Sequence, residues 1–115
     1  MEDTLISLLE SLGYPVRRQG SFASDETYPD TFITFWCTEE IEHSAYNNDT
    51  QLVDYTYQVN VYSTSPNKAY AVLGSARVLL RVNGWTIAQR GYDAASDEAT
   101  HTGRGMVVMY LNTEH

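Results

Sequence analysis

The sequence predicts an α+β domain: a mixed or antiparallel β-sheet of about four to five strands, flanked by two helices. Residues 51–62 alternate apolar and polar side chains, which is typical of a strand with one face against a core. Residues 3–12 and 67–83 show the apolar spacing of amphipathic helices. The length of 115 residues suits one domain, so residues 1–115 are expected to fold as a single unit.

The first predicted helix carries leucines on one face and ends at Gly13. A short edge segment is expected at 16–20, and a polar loop at 21–30. Residues 31–38 predict a strand with large apolar side chains on both faces. Such a strand is either covered on both sides or has a face that contacts another subunit.

An acidic segment follows this strand and leads to the turn-rich stretch before residue 51. It is expected to be a solvated loop that forms a long hairpin arm to strand 51–62, the candidate for the central antiparallel strand. Its residues of interest are Glu39, Glu40, Glu42, Tyr46, Asn48 and Asp49. Glu39, Glu42 and His43 have no spacing typical of a metal site.

The second predicted helix, residues 67–83, has small residues and a basic face. Gly74 and Ala76 are expected to let the helix pack closely on the sheet. Arg77 and Arg81 lie four residues apart on another face, where like charges repel each other. An acidic partner surface would relieve this repulsion.

Two strands are predicted in the last third of the chain. Gly84 ends the second helix, and residues 85–90 form the first of these strands. A polar loop is expected over 91–102. Residues 104–111 then contain a continuous apolar run, which indicates a strand with both faces covered.

Charge and composition restrict the function. The formal net charge of −8 argues against a surface that wraps duplex DNA. Residues 55–92 nevertheless carry only four charges, all basic, while the remainder carries 15 acids and three basic residues, a net charge of about −12. The single cysteine, Cys37, allows no intramolecular disulfide and is expected to be a small buried apolar residue in a cytosolic protein. Neither a signal peptide nor a membrane span is expected.

One acidic stretch has the residue types of a metal site, namely Asp93, Asp97, Glu98 and His101. The four residues lie between two strands and match no metal motif, so a solvated loop is expected instead. Ser96, Asp97 and His101 contain the groups of a catalytic triad without its architecture. The sequence therefore predicts no catalytic residue, no metal and no cofactor.

Several phrases of the sequence resemble small tail-completion proteins of long-tailed phages and prophages of Gram-positive bacteria, which are similar to tail terminator proteins. They are YPDTFITFW, the Asn-Asn-Asp turn before a strand ending VNVYSTSPN, the helix end at Gly84-Trp85, and YDAASDEATHTGRGMVVMY. The resemblance implies a virion protein of the tail or neck, assembled in the bacterial cytoplasm as a ring that is expected to be hexameric. Such a ring caps the tail tube and stops its polymerisation. The implied partners are further copies of the chain, the major tail tube protein and a head-closure or connector protein, while DNA passes through without specific binding.

A ring needs two unlike surfaces on each subunit, one for each neighbour. The acidic arm from Glu39 to Asp49 and the basic pair Arg77 and Arg81 are the candidates for these surfaces. Reversal of both arginines to glutamate is expected to weaken oligomerisation without unfolding the monomer. The alternatives are another neck protein, a small metal-dependent enzyme that uses residues 93–101, and a host-inhibitor protein.

Overall fold

The computed structural model describes residues 2–19, 29–43, 51–94 and 100–114, which contain two helices and a five-stranded sheet. In chain order the elements are α1 (Glu2–Glu10), β1 (Val16–Arg18), β2 (Thr31–His43), β3 (Gln51–Ser63), α2 (Pro66–Val82), β4 (Thr86–Ala94) and β5 (Thr102–Glu114). The strand order is β1-β2-β3-β5-β4, with β1 parallel to β2 and the other pairs antiparallel. The predicted α+β class is confirmed.

Strand β3 lies at the centre of the sheet, as its alternating pattern predicts. It pairs with β2 on one side and β5 on the other. Its apolar residues Tyr57, Val59 and Val61 are buried in the core that the helices cover. Polar residues between them, such as Gln58 and Asn60, face the other side of the sheet.

Both helices pack on the same face of the sheet. Ser65 caps α2 by accepting a hydrogen bond from the Lys68 backbone N–H at 3.4 Å, and Gly84, with φ +92°, follows its end. Ala76 is fully buried against the core, as expected. The same expectation for Gly74 is wrong. A Cβ at this position would make only an ordinary contact, 3.7 Å from Arg77 Nη2, so the packing of α2 does not require a glycine here.

The long strands extend further than the sequence predicts. β2, β3 and β5 each contain 13 residues, or about 43 Å of extended chain, whereas the 17-residue α2 is about 26 Å long. The expected acidic loop after residue 38 is therefore wrong for residues 39–43, which pair with β3. The ends of three strands, residues 39–43, 51–55 and 110–114, form what we call the extension, and the molecule measures 51 × 28 × 22 Å.

Strand β4 also enters the segment expected to be a loop. Its residues Tyr92, Asp93 and Ala94 pair with β5. Gly105 lies directly opposite Tyr92, and a Cβ at Gly105 would meet the Tyr92 ring at 2.6 Å. The absence of a side chain at Gly105 therefore leaves room for the Tyr92 ring at this close approach, where the pairing of β4 with β5 continues into a polar stretch.

Candidate functional site

The acidic residues of β2 lie along one outer strand of the extension, on both sides of the sheet. A bulge between Cys37 and Glu39 shifts the pairing with β3 by one residue. Glu40 and Glu42 consequently lie opposite Tyr55 and Val53, on the side of the sheet that carries the helices. Glu39 lies opposite Thr56 on the other side.

We call Glu39, Glu40 and Glu42 the acidic edge. All three side chains are exposed. β1 pairs with β2 only over residues 33–35, so residues 36–43 have an outer edge without a strand partner in the part of the chain that the structure describes. The other proposed acidic-arm residues, Tyr46, Asn48 and Asp49, lie outside the described residues.

Cys37 lies at the base of the acidic edge and is half-buried. Its Sγ atom lies 3.5 Å from the Glu39 carbonyl oxygen and 3.9 Å from Glu40 Oε1. Burial raises the pKa of the Cys37 thiol, and the Glu40 carboxylate raises it further, against the opposing effect of the hydrogen bond to Glu39. A thiol held in its protonated form is a poor nucleophile.

Three arginines from three elements line one cleft on the helical side of the sheet. Arg77 comes from α2, Arg90 from β4 and Arg104 from β5, and Tyr70 forms one wall. We call this cleft, of about 250 Å³, the arginine cleft. Gly91 also borders it.

Specific contacts hold two of the guanidinium groups in place. Arg77 Nη1 donates a hydrogen bond to the Arg90 carbonyl oxygen at 3.1 Å. Arg104 Nη1 donates to Asp93 Oδ1 at 3.0 Å, and its Cζ atom lies 4.5 Å from the centre of the Tyr70 ring. Burial lowers the pKa of Arg77, and the neighbouring positive charges, Arg90 first, lower it further.

Arg81 does not line this cleft, although the sequence pairs it with Arg77. It is exposed in the last turn of α2, where a positive charge interacts favourably with the helix dipole. Arg90, whose charge acts on Arg77 more strongly than that of Arg81, and Arg104 were not predicted from the sequence as members of this cluster. Arg90 belongs to the all-basic window 55–92, which is the one signal that could have identified it.

The acidic edge and the arginine cleft are separate surfaces. Arg104 lies opposite Val61 of β3, whereas Glu40 lies opposite Tyr55, six residues away along the same strand. Six residues of strand correspond to about 20 Å. The two surfaces are therefore too far apart to form ion pairs within one chain.

An apolar groove runs along the outer side of α2. Val78 is 56% exposed and Val82 is 74% exposed, and both line the groove together with Leu12 and Ala71. These valines lie four residues apart, off the apolar stripe that faces the core. The two valines and their spacing are visible in the sequence, but they were not predicted from it to form a contact surface.

The candidate metal residues do not come together in the described part of the chain. Asp93 is paired with Arg104, and His101 Nε2 lies 2.8 Å from the Pro29 carbonyl oxygen. Ser96, Asp97 and Glu98 lie outside the described residues. In the described ranges, no three His, Cys, Asp or Glu side chains are grouped as a metal ion requires.

Neither α1 nor α2 is both long enough and apolar enough to cross a membrane. The described residues form three candidate contact surfaces, namely the acidic edge, the arginine cleft and the apolar groove. No protein-family model matches the chain, and no curated protein matches it.

Proposed function

We propose that this chain is a structural protein of a bacteriophage or prophage that forms a ring on the end of the tail tube. The ring terminates tail polymerisation and provides the head–tail joining surface. The resemblance of the sequence to tail-completion proteins supports this proposal. The structural observation that carries it is the presence of two unlike charged surfaces that no ion pair within the described residues neutralises. They are the acidic edge and the side of α2 that carries Arg77 and Arg81, which we call the basic side of α2.

Unlike surfaces favour a head-to-tail contact between copies. A contact between identical patches would bring acid against acid or arginine against arginine, and like charges in contact cost several kcal/mol. A contact between the acidic edge of one copy and the basic side of the next is heterologous when it is not reciprocated, and repetition of it closes a ring when the rotation allows. A reciprocated contact would close a two-fold dimer of about 26 kDa instead, which the mass in solution distinguishes from a ring. Arg77 and Arg81 lie on this basic side.

The apolar groove gives the same contact a hydrophobic component. Charge complementarity sets orientation and association rate more than affinity, so a stable ring also needs apolar burial. Val78 and Val82 expose apolar surface on α2, the helix that carries Arg77 and Arg81. A neighbour that covers this side of α2 would therefore bury apolar groups at the centre of the contact and leave the charges at its rim.

The negative charge of the chain also suits a ring around DNA. Each copy carries a formal charge of −8, so a ring whose lumen is lined by acidic side chains would repel the phosphate backbone there. Tail DNA has to pass such a joint without being retained. A closely related role, head closure on the connector side of the joint, differs in its binding partner, and such a protein would leave the ends of tail tubes bare.

The test is the mass of the protein in solution, measured by light scattering over a concentration series. Six copies of the 13.0 kDa chain give a particle of about 78 kDa. The double variant Glu40→Lys/Glu42→Lys is expected to shift the mass towards the monomer, and so is Arg77→Glu/Arg81→Glu. Glu10→Lys changes an exposed acid of α1, outside both surfaces, and should assemble like the wild type.

Far-UV circular dichroism checks that each variant is folded. The two double variants should then be mixed one to one. Part of the assembly should return, because the reversed edge of one variant is complementary to the reversed α2 of the other. Wild-type assembly that none of the reversals changes would contradict the contact between the acidic edge and the basic side of α2. A monomer at every concentration, with or without tubes, would contradict the ring itself.

A further inference from the structure

The arginine cleft carries more positive charge than the described residues neutralise. Arg77, Arg90 and Arg104 contribute three charges, and one carboxylate, Asp93, is bonded to one of them. The Asp93 side chain is 87% exposed at the rim, so much of its charge is screened by solvent. The cleft therefore keeps a local charge of about +2, on a protein whose overall charge is −8.

One hydrogen-bond donor of Arg104 has no partner among the described residues. This donor is the Nε atom, which is buried. Buried donors are nearly always paired, so an unpaired one requires an explanation. An anion in the cleft would relieve the repulsion among Arg104, Arg77 and Arg90, whereas the buried Nε would pair with it only after the Arg104 side chain shifts.

The shape of the cleft limits the size of the ligand. Its volume of about 250 Å³ lies below the roughly 300–1,000 Å³ of pockets that hold drug-sized molecules, so a small ligand fits best.

Two residues position the guanidinium of Arg104. Gly91 makes space for it, because a Cβ at this position would lie 2.7 Å from Arg104 Nη2. Tyr70, on the opposite side, stacks with the same guanidinium.

We infer that the arginine cleft is a binding site for a phosphate group, held by Arg77, Arg90 and Arg104. A phosphate monoester carries close to two negative charges at neutral pH and matches the local charge, whereas one carboxylate neutralises only half of it. Guanidinium forks bind phosphate oxygens through paired N–H donors. This inference does not depend on the ring, because the site lies within one chain.

The experiment is isothermal titration calorimetry of the full chain with inorganic phosphate, at constant ionic strength maintained with chloride. Arg77→Gln and Arg104→Gln should each weaken phosphate binding at least ~10-fold, the loss expected for one charge-assisted hydrogen bond. Lys68→Gln is the matched control, since it also removes one positive charge from α2 but lies outside the cleft. It should change the affinity less than ~2-fold.

A second variant keeps every charge and moves only the guanidinium. Gly91→Ala places a methyl group 2.7 Å from Arg104 Nη2, so the guanidinium has to move and phosphate binding should weaken while the net charge stays the same. Absence of wild-type binding, or equal losses in Lys68→Gln and Arg104→Gln, would overturn the inference. So would unchanged affinity in both Gly91→Ala and Arg104→Gln.

Two further titrations identify the source of the phosphate. A nucleoside 5′-monophosphate that binds in the wild type but not in Arg104→Gln indicates a small phosphorylated ligand. A short DNA duplex with the same dependence on Arg104 indicates the nucleic-acid backbone. If phosphate does not bind and Arg104→Gln instead lowers the mass of the assembled protein, the cleft receives carboxylates of a neighbouring copy and the phosphate inference is wrong.

Discussion

Two glycines provide a stringent test of the fold, because the same substitution should have opposite effects at the two positions. A Cβ at Gly103 of β5 would lie 2.6 Å from the Ala94 carbonyl oxygen and 2.7 Å from the Tyr62 ring. The carbonyl belongs to the backbone of the paired strand β4 and cannot move alone. A Cβ at Gly74 of α2 would meet its nearest atom, Arg77 Nη2, at an ordinary 3.7 Å.

The magnitudes follow from these contacts. Gly103→Ala inserts a methyl group into filled space and should lower the free energy of unfolding by ~1–3 kcal/mol. Gly74→Ala removes a glycine from the interior of a helix and should raise it by ~0.5–1 kcal/mol. For 115 residues the unfolding entropy is about 240 cal/mol/K, so Tm should fall by ~4–12 °C in the first variant and rise by ~2–4 °C in the second.

Thermal unfolding followed by circular dichroism or calorimetry measures both shifts. The wild type and the two variants should be compared at one protein concentration, because assembly itself raises Tm. A Gly103→Ala protein as stable as the wild type would show that β4 and β5 do not approach as described. A Gly74→Ala protein that is less stable would show that α2 lies closer to a neighbouring element at this position.

Three further predictions concern the core and its titratable groups. Leu9→Ala removes a fully buried side chain of α1 and should cost ~2–5 kcal/mol in urea denaturation, whereas Glu10→Ala, at the next and exposed position, should have little effect. Burial raises the pKa of Tyr57 from 10.0 to about 12, so its contribution to stability should be complete below pH 10 and be lost between pH 10 and about 12, where the unfolded chain ionises first. Ultraviolet titration should show this late ionisation, and Tyr57→Phe should reduce its amplitude by one tyrosine, because burial also raises the pKa of Tyr92; an unchanged curve would contradict the burial of Tyr57. Cys37 should react with a disulfide reagent more slowly in the folded than in the urea-unfolded protein, since its pKa is raised; equal rates would contradict this.

Local patterns predicted the class of fold and most of its elements. The alternation in 51–62 identified β3, and apolar spacing placed α2 within one residue of its bounds at Pro66–Val82. The ends of β2, β4 and β5 were wrong, because strand length depends on the partner strand as well as on composition. Glu39, Glu40 and Glu42 are unfavourable strand residues, yet they continue β2 because β3 pairs with them.

The arginine cleft could be predicted only in part. The sequence pointed to Arg77 because Arg81 lies four residues away and repels it. In the structure, Arg77 instead donates a hydrogen bond to the carbonyl oxygen of Arg90, the nearest arginine in the cleft. Thirteen residues separate Arg77 from Arg90, and Arg104 follows fourteen residues later. The three meet because β4 pairs with β5 beneath α2, which is a tertiary relationship that no local spacing encodes.

Attachment to tail tubes tests the proposed function most directly. Purified tail tubes with open ends are mixed with the protein, and bound protein is located by electron microscopy while light scattering records the mass of the free protein. The ring proposal predicts density confined to tube ends, arrest of further tube growth, and loss of both effects in Glu40→Lys/Glu42→Lys but not in Glu10→Lys. A protein that leaves tube ends bare and tube growth unchanged, whatever its own mass, would contradict it.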